Sequence, residues 1–252
     1  MAQVFTLELA RLVLLFIAHP AIMADPPPDP RRPSWTARVT LDSVYVPRHF
    51  EMSADDAAAL AGSIGIGHLV TSTDAGLDSS FVPFLVDRAD GNRVGCDLVV
   101  RAHIAAANPQ RHAVAAGAAA LLIVQGPDAY VSPSLYPSKV EHGRVVPTWN
   151  YAIVHLHGHL QLVDDHDRLL DLVTRLTNLH EGRREAPWVV SDAPAEFIDG
   201  QLKAIVGIEM TVERIEGKAK LSQNRVELDR AAVRAAFIDG DERHRQVGAM
   251  MP

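Results

Sequence analysis

From Thr148 to Val163 the chain alternates apolar and polar or small residues almost without a break, through Val154-His155-Leu156-His157-Gly158-His159-Leu160. A period of two places successive side chains on opposite faces, so this segment reads as a long β-strand or a pair of strands. Shorter runs at Ile66 to Thr73, Phe81 to Asp87, Leu98 to Ile104, Leu121 to Val124 and Ile205 to Ile215 are apolar or β-branched and read as strands too. Helices are fewer. Ser53 to Ser63 opens on a capping serine with Asp55 and Asp56 in its first turn. Asp164 to Glu181 spaces Leu169, Leu172, Val173 and Leu176 helically, and Ala195 to Ala204 and Val226 to Phe237 complete the set. Ala113 to Ala120 is ambiguous. Many strands with peripheral helices predict a mainly β (α+β) barrel rather than alternating βαβ units.

The 252 residues are 48% hydrophobic, enough for one substantial core or two small ones. A net charge of −7 argues against an extended nucleic-acid surface while leaving room for a local basic patch. The single cysteine, Cys96, permits no intrachain disulfide and points to a reducing compartment, so the expected location is cytoplasmic. The apolar run Leu12 to Ala18 is too short to span a bilayer. It also makes a poor signal peptide, with Glu8 ahead of it, and no membrane association is expected.

Chemistry concentrates between Gln125 and Tyr151. Gln125 to Lys139 packs Tyr130, Ser132, Ser134, Tyr136 and Lys139 between prolines, and Val146 to Tyr151 adds Thr148, Trp149 and Asn150. Flat aromatics with fixed polar groups suit a flat heteroaromatic ligand, one carrying phosphate included. The competing reading is an ordered proline-rich loop with no ligand. Gly62, Gly65 and Gly67 are spaced in the reverse of the dinucleotide fingerprint and follow a helix, and there is no P-loop. Lys218 and Lys220 alternate with Ala219 and share a face if they lie on a strand, either as a ligand clamp or as a charged edge. His155, His157 and His159 also share a face. Their spacing of roughly 6.5–7 Å is one that a single ion spans poorly without ligands from elsewhere, so no metal site is expected. His142 is the better acid–base candidate, and no catalytic residue can be assigned.

QGPDAYVSPSLYPSK, EHGRVVPTWNYAIVHLHG and GKAKLSQNR resemble the signature blocks of the PaiB-type family, FMN-binding proteins described as negative transcriptional regulators. VYVPRHFEM, AHIAAANPQ and PWVVSDAPAEFI extend the resemblance, in the family's order, from Val44 to about Arg225. It implies an FMN-binding split β-barrel, a homodimer with the ligand at its interface, and DNA as a partner that the charge does not support. The alternative is a flavin-dependent oxidoreductase using NAD(P)H or a small organic substrate. Cofactor-binding residues implied by the matched blocks are His103, Asn108, Ser132, Ser134, Tyr136, Lys139, Thr148, Trp149, Asn150, Lys218 and Lys220.

Three positions depart from the family pattern. Ala106 replaces a usual basic residue, Ala219 a usual aromatic and Phe81 a common histidine. The loss at Ala106 removes a contact of about 1.5–3 kcal/mol, for which Arg101 or Arg111 is a nearby substitute. Because the blocks begin at Val44, residues 1–43 read as an extension, either disordered or the product of a start site placed too early, ahead of one domain over 44–252.

Overall fold

The computed structural model describes residues 45–73, 76–88 and 97–252, so the expectations for the first 43 residues and for Cys96 lie outside the described residues. Six strands, β1 (Ile66–Thr73), β2 (Gly76–Arg88), β3 (Leu98–Ala105), β4 (Ala119–Val131), β5 (Thr148–Val163) and β6 (Ile205–Lys220), close into a barrel in the order β1-β2-β3-β6-β5-β4. Every pairing is antiparallel, and β4 closes the ring onto β1. Helices follow as α1 (Ala54–Ile64), α2 (Arg111–Ala115), α3 (Ser138–His142), α4 (His166–Glu181), α5 (Ala195–Leu202), α6 (Glu227–Ile238) and α7 (Glu242–Met250).

Alternation decides the faces. On β5, Ala152, Val154, Leu156 and Leu160 turn inward, and the last three pack with Phe84, Val100, Leu122, Ile208 and Met210 as the barrel core. β5 is one continuous strand rather than a pair. α1 starts where Ser53 accepts a hydrogen bond from the Asp56 amide and stops at Gly65, whose φ of 67° is a left-handed conformation suited to glycine. It lays Ala57 and Ala61 against the core.

A second apolar cluster closes one end of the barrel. Tyr136, Leu221, Val233, Phe237, Val247 and Met251 pack there with Ala129 and Val131, so α6 and α7 brace the end of β4 and the start of β5. Ser138 ties α3 to this brace, donating from its amide and hydroxyl to the buried Asp229 carboxylate at 3.0 and 2.6 Å.

The loop reading of Gln125 onward is corrected over its first half, because β4 runs to Val131. The register shifts between Gln125 and Asp128, and Pro127, which has no N–H to give, sits within that irregularity.

Candidate functional site

β4 ends opposite the start of β5, pairing Val131 with Thr148 and Tyr130 with Trp149, while Tyr151 pairs with Lys220 at the end of β6. Thr148, Trp149, Lys218 and Lys220 therefore meet at one end of the barrel. Lys220 Nζ donates to Thr148 Oγ1 and to the Trp149 carbonyl, the latter at 2.8 Å. Lys218 Nζ reaches the Tyr45 carbonyl at 3.3 Å and lies 5.6 Å from the Tyr151 ring centre. Trp149 is 45% exposed, with Tyr130 edge-on at 6.1 Å and the Arg243 guanidinium 5.4 Å from its ring. Gln125, Asp128, Trp149, Tyr151, Ala152 and Ile153 line a cavity of about 300 Å³ beside them.

Burial lowers the Lys220 ammonium below its ordinary pKa, and the neighbouring charges of Lys218 and Arg225 push it the same way. Three cations crowd one another here, an arrangement that an anion relieves.

The loop after β4 joins this end. Ser132 accepts from the Ser134 amide at 3.2 Å and caps a short 3-10 turn, and its Oγ lies 2.7 Å from Ser134 Oγ. Tyr136 is buried beneath Arg225, 4.7 Å from its ring centre, and burial raises its phenol while the Arg225 charge opposes the shift. Lys139 is exposed on α3. Asn150 is fully buried, its amide donating to Ser222 Oγ at 3.0 Å and accepting from the same hydroxyl at 3.1 Å. Those bonds face the α6–α7 brace, which makes Asn150 a support for its neighbour Trp149. His142 is exposed and accepts from the Arg144 amide at 3.0 Å.

His103 and Asn108 stand apart. His103 pairs with Gly207 near the start of β6, whereas Lys218 lies eleven residues further along the same strand, about 35 Å of extended chain. The Nδ1 atom of His103 is buried without a hydrogen-bond partner, and burial lowers the imidazole's pKa. Asn108 donates to Ser80 at 2.8 Å and accepts from the Gln110 amide at 2.9 Å, so it shapes the turn after β3. Phe81, next to Ser80, is 60% exposed and packs against the His68 ring at 4.7 Å. Arg111 donates to the Ala106 carbonyl at 3.1 Å, which brings its guanidinium to the position that lacks a basic side chain. Arg101 is engaged elsewhere, with Asp87 and, at 2.8 Å, with Glu209.

A family model described as "Putative FMN-binding domain" matches residues 44–214. The chain belongs to this family. FMN is accordingly its cofactor, and the residues present fit that group: the crowded cations and exposed aromatics at one end, and the orphaned His103 nitrogen at the other. The PaiB-type resemblance is borne out by the Bacillus subtilis protein named "Protease synthase and sporulation protein PAI 2", 29% identical over 187 residues, covering 74% of this chain and 85% of that one. An uncharacterised protein of Emericella nidulans is 32% identical over 190 residues, 64% of this chain and 75% of its own. Among solved structures, a conserved hypothetical protein from Mycobacterium tuberculosis shares the fold, with a TM-score of 0.50 at 12% identity over 73% of this chain and 95% of that one. The fold is thus the split barrel that the sequence implied.

Sequence reasoning missed Arg225, Arg243 and Ser222. Each lies far from its partner along the chain, and only the packing of the C-terminal segment onto β4 and β5 brings them in. Among the described residues, no helix is long and apolar enough to cross a membrane.

Proposed function

We propose that FMN is held between two copies of this chain, each copy supplying opposite ends of the site. The observation that carries this is the separation along β6: His103 pairs with Gly207, and Lys220 lies thirteen residues further along the strand. A twofold axis that runs two copies antiparallel brings one copy's His103 end to the other's Lys220 end. Exposed apolar side chains on the barrel, with Phe81 at 60%, Trp149 at 45% and Ile66 at 38%, supply surface for such an association.

In this reading Lys218, Lys220 and Arg225 meet the phosphate, because mutual repulsion among them is relieved by a dianion. Trp149 covers an aromatic face, and the neutral His103 imidazole offers Nδ1 to the ring's polar edge. When bound, FMN supplies reversible electron transfer; the protein supplies position and charge.

The biological role we propose is the one implied by the resemblance, negative regulation of transcription, with FMN as the bound ligand. A net charge of −7 favours an indirect effect over direct reading of DNA. The second reading, a flavin-dependent oxidoreductase, rests on the exposure of Trp149, which leaves room for an electron donor beside it. Incubation with FMN followed by desalting tests cofactor retention: a retained oxidised-flavin spectrum supports the site, and a colourless protein refutes it. Steady NADH or NADPH turnover by the holoprotein then selects the enzyme, whereas a salt-dependent mobility shift with promoter DNA selects a direct regulator.

A further inference from the structure

The row His155, His157 and His159 on β5 lacks a ligand from elsewhere in the sequence reading, and the fold provides one. Glu216 on β6 lies directly across from His155, and His157 pairs with Arg214. The register then slips, so that Gly158 pairs with Val212 and Glu213 is left as the extra residue of a bulge. A bulge sharpens the local twist and re-aims side chains. Its outcome here is a cluster in which one ligand atom each from His155, His157 and Glu216 all lie within 4.8 Å of one another.

Gly158 permits the close approach of β5 to β6 at the bulge. A Cβ there would stand 1.9 Å from the Thr211 carbonyl oxygen, so no other residue fits without moving the backbone of β6.

We propose that His155, His157 and Glu216 form a binding site for one divalent transition-metal ion of the zinc class, on the outer face of the barrel. Two imidazoles and one carboxylate are ligands suited to such ions, and three protein ligands leave a position open for water or another molecule. Ligand atoms around a tetrahedral zinc ion stand about 3.4 Å apart, for bonds of about 2.1 Å. His157 Nε2 and Glu216 Oε2 are already 3.2 Å apart, and a small rotation of His155 completes the set. Arg214 pairs with the other carboxylate oxygen, Oε1, and so fixes the Glu216 side chain while leaving Oε2 facing the imidazoles. All three ligands are half-buried. His159 is excluded, being more exposed and paired with Glu213 at 2.9 Å.

The test uses the full chain, stripped with chelator and titrated with zinc by calorimetry, with metal content measured after desalting. It is run both without FMN and with saturating FMN, so that failure of the flavin reading does not affect the outcome. The expected result is one zinc per chain, with affinity reduced at least about tenfold to a hundredfold, the usual cost of losing even an outer-shell partner, in His157→Ala and in Glu216→Gln, and unchanged in His159→Ala. Thermal melts of each variant establish folding, and Glu216→Gln, which keeps shape and removes only charge, remains informative if His157→Ala does not fold. Absence of stoichiometric zinc in the wild type overturns the proposal. So does wild-type affinity in folded Glu216→Gln, or loss of binding in His159→Ala.

Discussion

Lys220 is charged in a place that does not favour its charge, half-buried and close to Lys218 and Arg225. A group held in that state strengthens anion binding, because the anion removes repulsion as well as adding contacts. Replacing Lys220 by Ala is therefore expected to weaken FMN binding about tenfold to a hundredfold, read by quenching of flavin fluorescence. Lys139 is exposed and its replacement by Ala should cost far less. Asn150 makes the contrasting case, with its amide closed onto Ser222 and away from solvent. Asn150→Ala should lower stability by about 1–3 kcal/mol in chemical denaturation, while FMN affinity of the folded protein changes little. Both residues stood among the cofactor contacts implied by the matched sequence blocks. Only the direction of the side chain, inward on β5 for Asn150, separates a support from a contact.

At the scale of elements, β5 was legible because its alternation is long, and α1 and α4 because each has a capping side chain and a regular apolar stripe. The far half of β4 was not, since Gly126 and Pro127 read as turn residues and the bulge that accommodates them is a property of the pairing with β5. α7 was missed as well. Its sequence is largely polar, and what holds it is the packing of Val247 against Phe237 and Tyr136. The candidate site residues came from the matched blocks as one set, and their placement at opposite ends of β6 needed the barrel's order.

The bulge between β5 and β6 gives a prediction at this scale. Gly158→Ala should destabilise the protein by more than about 2 kcal/mol, seen as a lower denaturation midpoint, because its Cβ has no room against Thr211. The packing of α4 gives another. Glu209 accepts from Arg101 at 2.8 Å and pairs with Arg168 at 2.7 Å. Burial alone would raise its pKa, but the two arginines outweigh burial and hold it below the ordinary carboxylate range. A depressed carboxylate stabilises above its unfolded pKa and loses that stabilisation as pH falls through the folded value. Glu209→Gln should thus cost about 1–3 kcal/mol at neutral pH and markedly less in acid.

For the molecule as a whole, His103, His155 and His157 act together on the acid stability of the metal-free protein. Burial lowers all three below 6.5, and Arg214 adds to the effect at His157. Below that value the unfolded chain binds protons that the folded chain refuses, so stability falls as pH drops, beginning near 6.5. His166, raised by Asp167 and Asp199, acts in the opposite sense but is exposed. Melting temperatures recorded from pH 8 to pH 5 should decline; a flat or rising profile would show that the buried imidazoles are solvated or paired in solution. The assembly itself is tested most directly by co-expressing two variants, His103→Ala and Lys220→Ala, each of which alone has lost tight FMN binding. If each flavin lies between two copies, random pairing restores tight binding at about a quarter of the sites, because each mixed dimer carries one intact site and one doubly altered site. If the site lies within a single chain, the mixture binds no better than either variant alone, and the intersubunit arrangement is wrong.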